Sequence, residues 1–284
     1  MRIARTLNEI ATVLSQKQYD TTTKLRLLGS YYSLLVTHKL LKRHQNSFHF
    51  FGRTIHSSSF TNVVTIVKEV FLFGDYYFKP DTDTPYIIDC GANIGITSLF
   101  YGWQYPKATV LALEPSANNA ALLQKNISEN GLTNRVTILE AAASNSVGEI
   151  EFWENDAKPG GSTAVRGVYE SKPKDAFTKY RVQSILLSSH IDKPVDLLKI
   201  DVEGSEGRIF HDLATSGKMK LIKNMIFEYH QNASNKDNDL ITILKTLEEH
   251  GFEYTLFSSE FGVSGEQLIG MKSRHFLIRA KKRA

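Results

Sequence analysis

Several things are scarce in this chain. A single cysteine, Cys90, excludes an internal disulfide, and its place at the end of a short apolar run marks it as a small core residue rather than a nucleophile. No stretch approaches the roughly 20 apolar residues of a membrane span, and the opening MRIARTLNEIATVLSQKQYD lacks the continuous apolar run of a secretory signal. A cytoplasmic location is therefore expected, and the sequons at Asn126 and Asn232 carry no weight. Internal repeats and low-complexity linkers are missing too. What remains, 284 residues that are 42% hydrophobic, is enough for one sizeable domain with a full core plus an appendage, and it argues against disorder.

The net charge of +4 conceals an uneven spread. Residues 1–55 carry nine basic residues against Glu9 and Asp20, or +7, and the rest of the chain carries −3. Such a basic end can approach an anionic partner, but a solvated surface is the commoner explanation of a charge run. Neither a nucleic-acid partner nor a transmembrane segment is expected.

The most informative stretch is YIIDCGANIGITSLFYGWQYPKATVLALE, residues 86–114. An apolar run ends at Asp89, passes through the small-residue turn Cys90-Gly91-Ala92-Asn93-Ile94-Gly95, and enters a helical segment near Ile96. A second apolar run ends on Glu114, 19 positions after Gly95. A carboxylate at the tip of that second strand can accept hydrogen bonds from both hydroxyls of a ribose lying over the turn, which predicts a nucleoside ligand. A dinucleotide loop of G-x-G-x-x-G form is missing: the three positions hold Gly91, Asn93 and Ile96. Asparagine and a β-branched residue would crowd a pyrophosphate, so S-adenosyl-L-methionine suits the turn better than NAD.

Four strings in order, IIDCGANIGITSLFYG, LALEPSANNAALLQKNISEN, VDLLKIDVEGSE and IFEYH, resemble the FkbM-type family of S-adenosylmethionine-dependent O-methyltransferases, over about three quarters of the chain. The resemblance implies O-methylation of a hydroxyl on a sugar, glycan or secondary metabolite. At Val182-Gln183-Ser184-Ile185-Leu186 the chain departs from the family's Thr-Leu-Asp-like run, so no role is carried over to an aspartate there.

Residues 1–47 read as an N-terminal helical appendage. Ile3, Leu7, Ile10 and Leu14 recur at helical spacing, and a second helix capped near Asp20 is apolar over a wide arc. That arc needs cover from the rest of the chain, a second copy or, as the less favoured reading, a lipid surface, which makes a homo-oligomer one expectation. Residues 48–284 read as the methyltransferase domain. The aromatic-rich segment from Phe48 to Phe78 is either a lid over the cofactor or plain cover for the sheet, with only Tyr76 expected near the ligand. Strand signals at 86–89, 109–114, 135–139, 195–200, 221–228, 252–257 and 275–279, with helices after the first, second, fourth and fifth, predict an α/β fold. It is the Rossmann-like class I methyltransferase arrangement: a mostly parallel seven-stranded sheet, helices on both faces, and a terminal antiparallel hairpin. A small β-element formed by Glu149–Trp153 and Tyr180–Ile185 encloses KPGGSTAVRG.

For the cofactor, Gly91, Ala92 and Gly95 are expected to let the loop backbone approach the methionine portion. Asp89 would organise the loop or cap the following helix, and Asn93 would bond the methionine carboxylate. Ala142 and Glu140 would read the adenine, with Pro115 and Asn118 bordering it and Ser116 serving as a helix cap. On the acceptor side Lys199-Ile200-Asp201-Val202-Glu203-Gly204 and Glu228-Tyr229-His230 bring acids and a histidine to the carboxyl edge of the strands. His230 is the leading general base, with Asp201 as orienter or alternative base. Two other readings stay open: Asp201, Glu228 and His230 as ligands of a divalent metal, or a purely structural ion pair. The acceptor pocket itself is expected among the N-terminal helices, the Gly160-Gly161 loop and the region from Ser258 to Gly270. An NAD-dependent oxidoreductase and a catalytically silent nucleoside-binding subunit are the alternative functions.

Overall fold

The computed structural model describes residues 2–41, 46–155, 162–163, 177–231, 237–258 and 275–283. The Gly160-Gly161 loop, Asn232 and nearly all of the region from Ser258 to Gly270 lie outside them.

Two helices open the chain, α1 (Arg2–Ser15) and α2 (Thr21–Leu41), the second capped by Asp20, whose carboxylate accepts from the Thr23 N–H at 2.6 Å. A hairpin of β1 (Ser47–Phe50) and β2 (Arg53–His56) follows. Next comes α3 (Phe60–Val67), capped by Ser59, which widens into a π-wound turn, Lys68–Phe73, closed by Gly74 in the left-handed region.

The sheet then builds by alternation. It runs β3 (Tyr86–Cys90), α4 (Ile96–Gln104), β4 (Thr109–Leu113), α5 (Ala117–Glu129) and β5 (Val136–Leu139). A side sheet interrupts, made of β6 (Ala142–Ser144), β7 (Gly148–Asn155), β8 (Ser162–Thr163) and β9 (Phe177–Leu186). The chain returns through β10 (Leu197–Ile200), α6 (Glu206–Thr215), β11 (Asn224–His230), α7 (Leu240–Glu249), β12 (Phe252–Ser258) and β13 (His275–Lys282). The seven-stranded order is β12-β13-β11-β10-β3-β4-β5, parallel except that β13 runs against both of its neighbours.

Strand periodicity decides the layers. Ile87, Val110 and Ala112 face one core with α1 to α5, whereas Ile88, Leu111 and Leu113 face the other with α6 and α7. The N-terminal helices cover the first face: Val13, Leu27, Tyr31 and Leu34 are buried in the same cluster as Phe71 and Phe100. Phe48, Phe50, Phe51 and Phe78 are buried there too, so the aromatic segment is cover for the sheet rather than a lid. Leu25, Val36 and Leu40 stay exposed on α2. Among the described residues no helix is long and apolar enough to cross a membrane.

One side chain ties the π-wound turn to the sheet. From β13, Arg279 donates to the carbonyl oxygens of Gly74, Asp75 and Tyr77 at 2.8, 2.9 and 3.0 Å, and so fixes the approach to Tyr76. Arg279→Ala leaves those acceptors without their donor and is expected to lower stability by about 2 to 4 kcal/mol. A urea midpoint equal to that of the parent would rule out this role.

Candidate functional site

The turn between β3 and α4 is closed on itself. The N–H groups of Gly91 and Ala92 both donate to the Leu113 carbonyl at 2.9 Å, and that of Gly95 to the Ala92 carbonyl at 2.8 Å. The Asn93 N–H reaches Glu114 at 2.9 Å, and the Ile94 N–H meets the Asn93 side-chain oxygen at 2.7 Å. Every N–H from 91 to 95 therefore has an acceptor inside the protein. Gly91 and Gly95 have φ of +76° and +89° and Asn93 has +51°, a left-handed run that glycine and asparagine tolerate best.

The glycines meet a packing constraint of their own. A Cβ at Gly91 would stand 1.8 Å from the Asp201 carbonyl oxygen, and one at Gly95 would stand 2.5 Å from Leu123 Cδ1. They let β10 and α5 come close to the turn, and Gly91 lines the crevice as well. Ala92 likewise points into the core, at 2% exposure, and is absent from the crevice lining.

Glu114 is buried where β4 ends. One carboxylate oxygen accepts from Asn93 N–H and the other from Ser116 N–H, each at 2.9 Å, with the Asn119 amide at 3.5 Å. Burial pushes its pKa up to about 7 against these hydrogen bonds. A crevice opens over it, lined by Gly91, Asn93, Glu114, Pro115, Asn119, Ala141 to Ala143 and Phe152, and continuing to Asp201, Val202, Glu203 and Ser205. Predicted residues from three strand ends thus meet along one groove. Glu140 does not join them: it is exposed and outside the lining, because the chain turns into β6 directly after it. Asn118 also turns away, towards Glu154 at 3.5 Å, and Asn119 takes the place on the rim. Ser116 does cap α5, accepting from the Asn119 N–H at 3.3 Å.

Two residues on this side went unnoticed in the sequence. Phe152 on β7 brings an aromatic ring from the side sheet to the crevice, and Glu154 latches that sheet down by accepting from Ser116 Oγ and Tyr180 Oη, each at 3.0 Å. The altered segment around Ser184 backs the same wall: Ser184 pairs with Ala142 across β9 and β6 and donates to the Ser146 carbonyl at 2.9 Å.

Asp89 is fully buried and does not line the crevice. It accepts from Ser98 Oγ at 2.9 Å and pairs with Lys199 at 3.1 Å. Nor does it cap α4, which begins at Gly95 without a side-chain cap. Lys199 was also missed as a site residue, although a lysine inside the apolar run Leu-Leu-Lys-Ile was the signal. Its ammonium donates to the Gly91 carbonyl at 2.6 Å and lies 3.7 Å from Asp201. Burial works against its charge, but Asp89 and Asp201 outweigh it and hold its pKa above the ordinary lysine value.

The acceptor side is crowded with acid. Tyr76 is buried, and its hydroxyl reaches Asp201 at 3.3 Å. Burial raises Glu69, on the π-wound turn, and Glu228, on β11, each to about 8, and Asp75 to about 6. His230 is buried, with Nδ1 2.9 Å from Glu206 and Nε2 3.4 Å from Glu203. Burial alone would favour the neutral ring, yet Glu203 and Glu206 raise its pKa well above the usual histidine value. With both ring nitrogens turned to carboxylates, His230 is poorly placed to take a substrate proton, which opposes its reading as the general base.

Sheet order, the reversed β13 and a crevice at the carboxyl edge of β3, β4 and β10 define a Rossmann-like methyltransferase fold. The chain belongs to the FkbM methyltransferase family: the family's model, Methyltransferase FkbM domain, matches residues 89–254, more than half of the chain. Methyltransferase sdnD of Sordaria araneosa is 27% identical over 223 residues, covering 69% of this chain and 84% of that one. Methyltransferase 1 of Beauveria bassiana (strain ARSEF 2860) is 26% identical over 204 residues, covering 66% and 80%. Among solved structures, methyltransferase FkbM from Methylobacillus flagellatus aligns at 14% identity with a TM-score of 0.48, over 78% of this chain; the chain spans about half, 54%, of that one.

The raised pKa of Glu114 has a thermodynamic consequence. Between the ordinary glutamate pKa and about 7 the folded protein holds a proton on Glu114 that the unfolded chain releases, so this group's contribution to stability is full at low pH and fades as pH rises through that window. The stability of Glu114→Gln relative to the parent should therefore rise from pH 4.5 to pH 7.5, read from parallel urea titrations. A difference that stays flat over that range removes the shift.

Proposed function

We propose that the chain is an S-adenosyl-L-methionine-dependent methyltransferase that modifies a hydroxyl of a small-molecule or glycan acceptor. The observation that carries this reading is the pairing of the closed turn with Glu114. A dinucleotide needs open N–H groups to receive its pyrophosphate, and here the N–H groups from 91 to 95 are already spent. The nucleoside side fits well. Each Glu114 oxygen accepts one backbone N–H, and the further contact from the Asn119 amide is long at 3.5 Å, so the two oxygens together can take both ribose hydroxyls. The alanines at 141 to 143 leave a flat space for the base, with Phe152 beside it.

The bound donor would supply an electrophilic methyl on a sulfonium, and this chain's residues would supply placement and a proton acceptor. Asn93 and Gly91 border the end of the crevice where an amino-acid tail would lie, and the Lys199 ammonium fixes the Gly91 carbonyl there. Asp201 is the carboxylate common to the crevice and the acceptor edge, and we assign it the hydroxyl proton. His230 is then a positioning residue that anchors Glu203 and Glu206. The acids gathered at this edge would repel a phosphodiester backbone, which supports a non-nucleic-acid acceptor.

Calorimetric titration with S-adenosyl-L-methionine and with NAD tests the donor: binding of the first and not the second is expected, and tight NAD binding alone would overturn the assignment. Glu114→Ala should weaken the donor by one to two orders of magnitude, through loss of charge-assisted hydrogen bonds worth about 1.5 to 3 kcal/mol. Asp201→Asn should lower turnover by about 10²- to 10⁴-fold with donor affinity within a few-fold of the parent, measured by transfer of labelled methyl to a panel of hydroxylated acceptors. Parental turnover in that variant would remove Asp201 as the base.

A further inference from the structure

The acceptor edge carries more than an ion pair needs. We propose that Asp201, Glu203 and His230 bind a divalent cation of the Mn²⁺ class, with Glu203 standing where the sequence had suggested Glu228. One oxygen or nitrogen from each of the three lies within 4.8 Å of the others. Around a six-coordinate ion with bonds of about 2.1 to 2.3 Å, neighbouring ligand atoms stand about 3.0 to 3.3 Å apart and opposite ones about 4.2 to 4.6 Å. The His230 Nε2 to Glu203 distance of 3.4 Å is close to the first of these values.

The ring is also prepared from behind. Glu206, fully buried, accepts from His230 Nδ1 at 2.9 Å, which fixes the tautomer and leaves Nε2 facing Glu203. Glu206 is itself held by the Gly204 N–H at 3.0 Å and by the Asn238 amide at 2.7 Å. Asn238 also accepts from the Gly207 N–H at 2.8 Å, and a Cβ on Gly207 would stand 1.9 Å from the Asp237 carbonyl oxygen. Hydrogen bonds through Glu206 and Asn238 thus orient one imidazole, as in metal sites whose histidine is backed by a carboxylate.

Two further observations point into the same place. Glu203 has φ of +54°, a backbone state that costs a non-glycine residue about 1 kcal/mol or more and that turns its carboxylate back towards His230. Ser205 is buried at 4% exposure and lines the crevice beside Glu203, and its Oγ has no hydrogen-bond partner among the described residues. A hydroxyl in that state is suited to a water held on an ion. One imidazole nitrogen with two carboxylates favours Mn²⁺, Fe²⁺ or Zn²⁺ over Ca²⁺. In the methyl-transfer reading such an ion would polarise the acceptor oxygen, and that role rests on the proposed function; the binding itself does not.

Electron paramagnetic resonance of Mn²⁺ titrated into the full chain tests this. Loss of the free aqueous signal at one ion per chain is expected, with the affinity at least tenfold weaker in Glu203→Gln and in His230→Gln and unchanged in Glu114→Ala. Circular dichroism establishes that each variant is folded, and Glu203→Gln, at the rim of the crevice, carries the test should His230→Gln fail to fold. An undiminished aqueous signal with the parent chain, or parental Mn²⁺ affinity in folded Glu203→Gln, overturns the proposal and leaves a structural ion pair. Mn²⁺ binding without binding of the methyl donor upholds the cation site while defeating the proposed function.

Discussion

The Lys199 ammonium lies 3.1 Å from Asp89 and 3.7 Å from Asp201, and it donates to the carbonyls of Gly91 at 2.6 Å and Cys90 at 3.3 Å. This arrangement follows from register, since Lys199 and Asp89 are directly paired across the parallel strands β10 and β3. A cation so deeply buried is tolerated only when opposite charge and oxygen acceptors replace the water it has lost. Each partner is thereby committed: Asp89 cannot turn to a ligand, the Gly91 carbonyl cannot swing away, and Asp201 has one side fixed. Removing the cation would strand the Asp89 carboxylate, a change that in buried pairs costs about 3 to 5 kcal/mol. The contact between the Gly91 and Asp201 backbones, too close to admit a Cβ, is the steric counterpart of the same clamp.

From that clamp the groove divides into two unlike halves. On the β4 side the acid is Glu114, whose neighbours are small residues and a phenylalanine. On the β10 and β11 side, burial is the main cause that raises Glu228 and, from the π-wound turn, Glu69, and the neighbouring Asp201 and Glu203 add to both shifts. The first half can discriminate by shape and by one carboxylate; the second acts by charge. Asp201 lies on the boundary, bonded to Tyr76 on one side and next to the buried ammonium on the other. Arg279 and the π-wound turn bear on this edge, since they hold Tyr76 and Glu69 beside it from outside the sheet.

Much of this was legible in the sequence because its signals are local. Strand runs, the reversed last strand and the Asp20 and Ser116 caps all follow from short-range pattern, and so does the placing of Glu114 at a strand tip. What escaped was relational. Gly91 and Gly95 were recognisable as a turn, but whether a ligand or another part of the chain needs the missing Cβ depends on β10 and α5, more than 25 residues away in the chain. Asp89 looked like a ligand group until its strand partner proved to be a lysine. Glu140 falls outside the crevice and Phe152 within it because the chain bends at Ala141 and a side sheet with its own register reaches the crevice. His230 was rightly placed at the edge, yet the role of a histidine depends on what both ring nitrogens touch, and Glu206 was simply part of a helix start in the sequence.

The closed turn also explains why so small a change separates two kinds of nucleotide site. In a dinucleotide loop the helix N-terminus offers unspent N–H groups to a phosphate. Here Asn93 at positive φ folds its side-chain oxygen onto the Ile94 N–H and delivers its own N–H to Glu114, while the Gly95 N–H turns back to Ala92. A pyrophosphate placed over this turn would meet the Glu114 carboxylate and backbone N–H groups that are already spent, which leaves it only a residual helix-dipole attraction of about 0.3 to 1 kcal/mol. Hydroxyl groups meet the same carboxylate as donors and are favoured. The residue that closes the turn against phosphate is thus also the one able to receive a ribose, so neither property can be changed without the other.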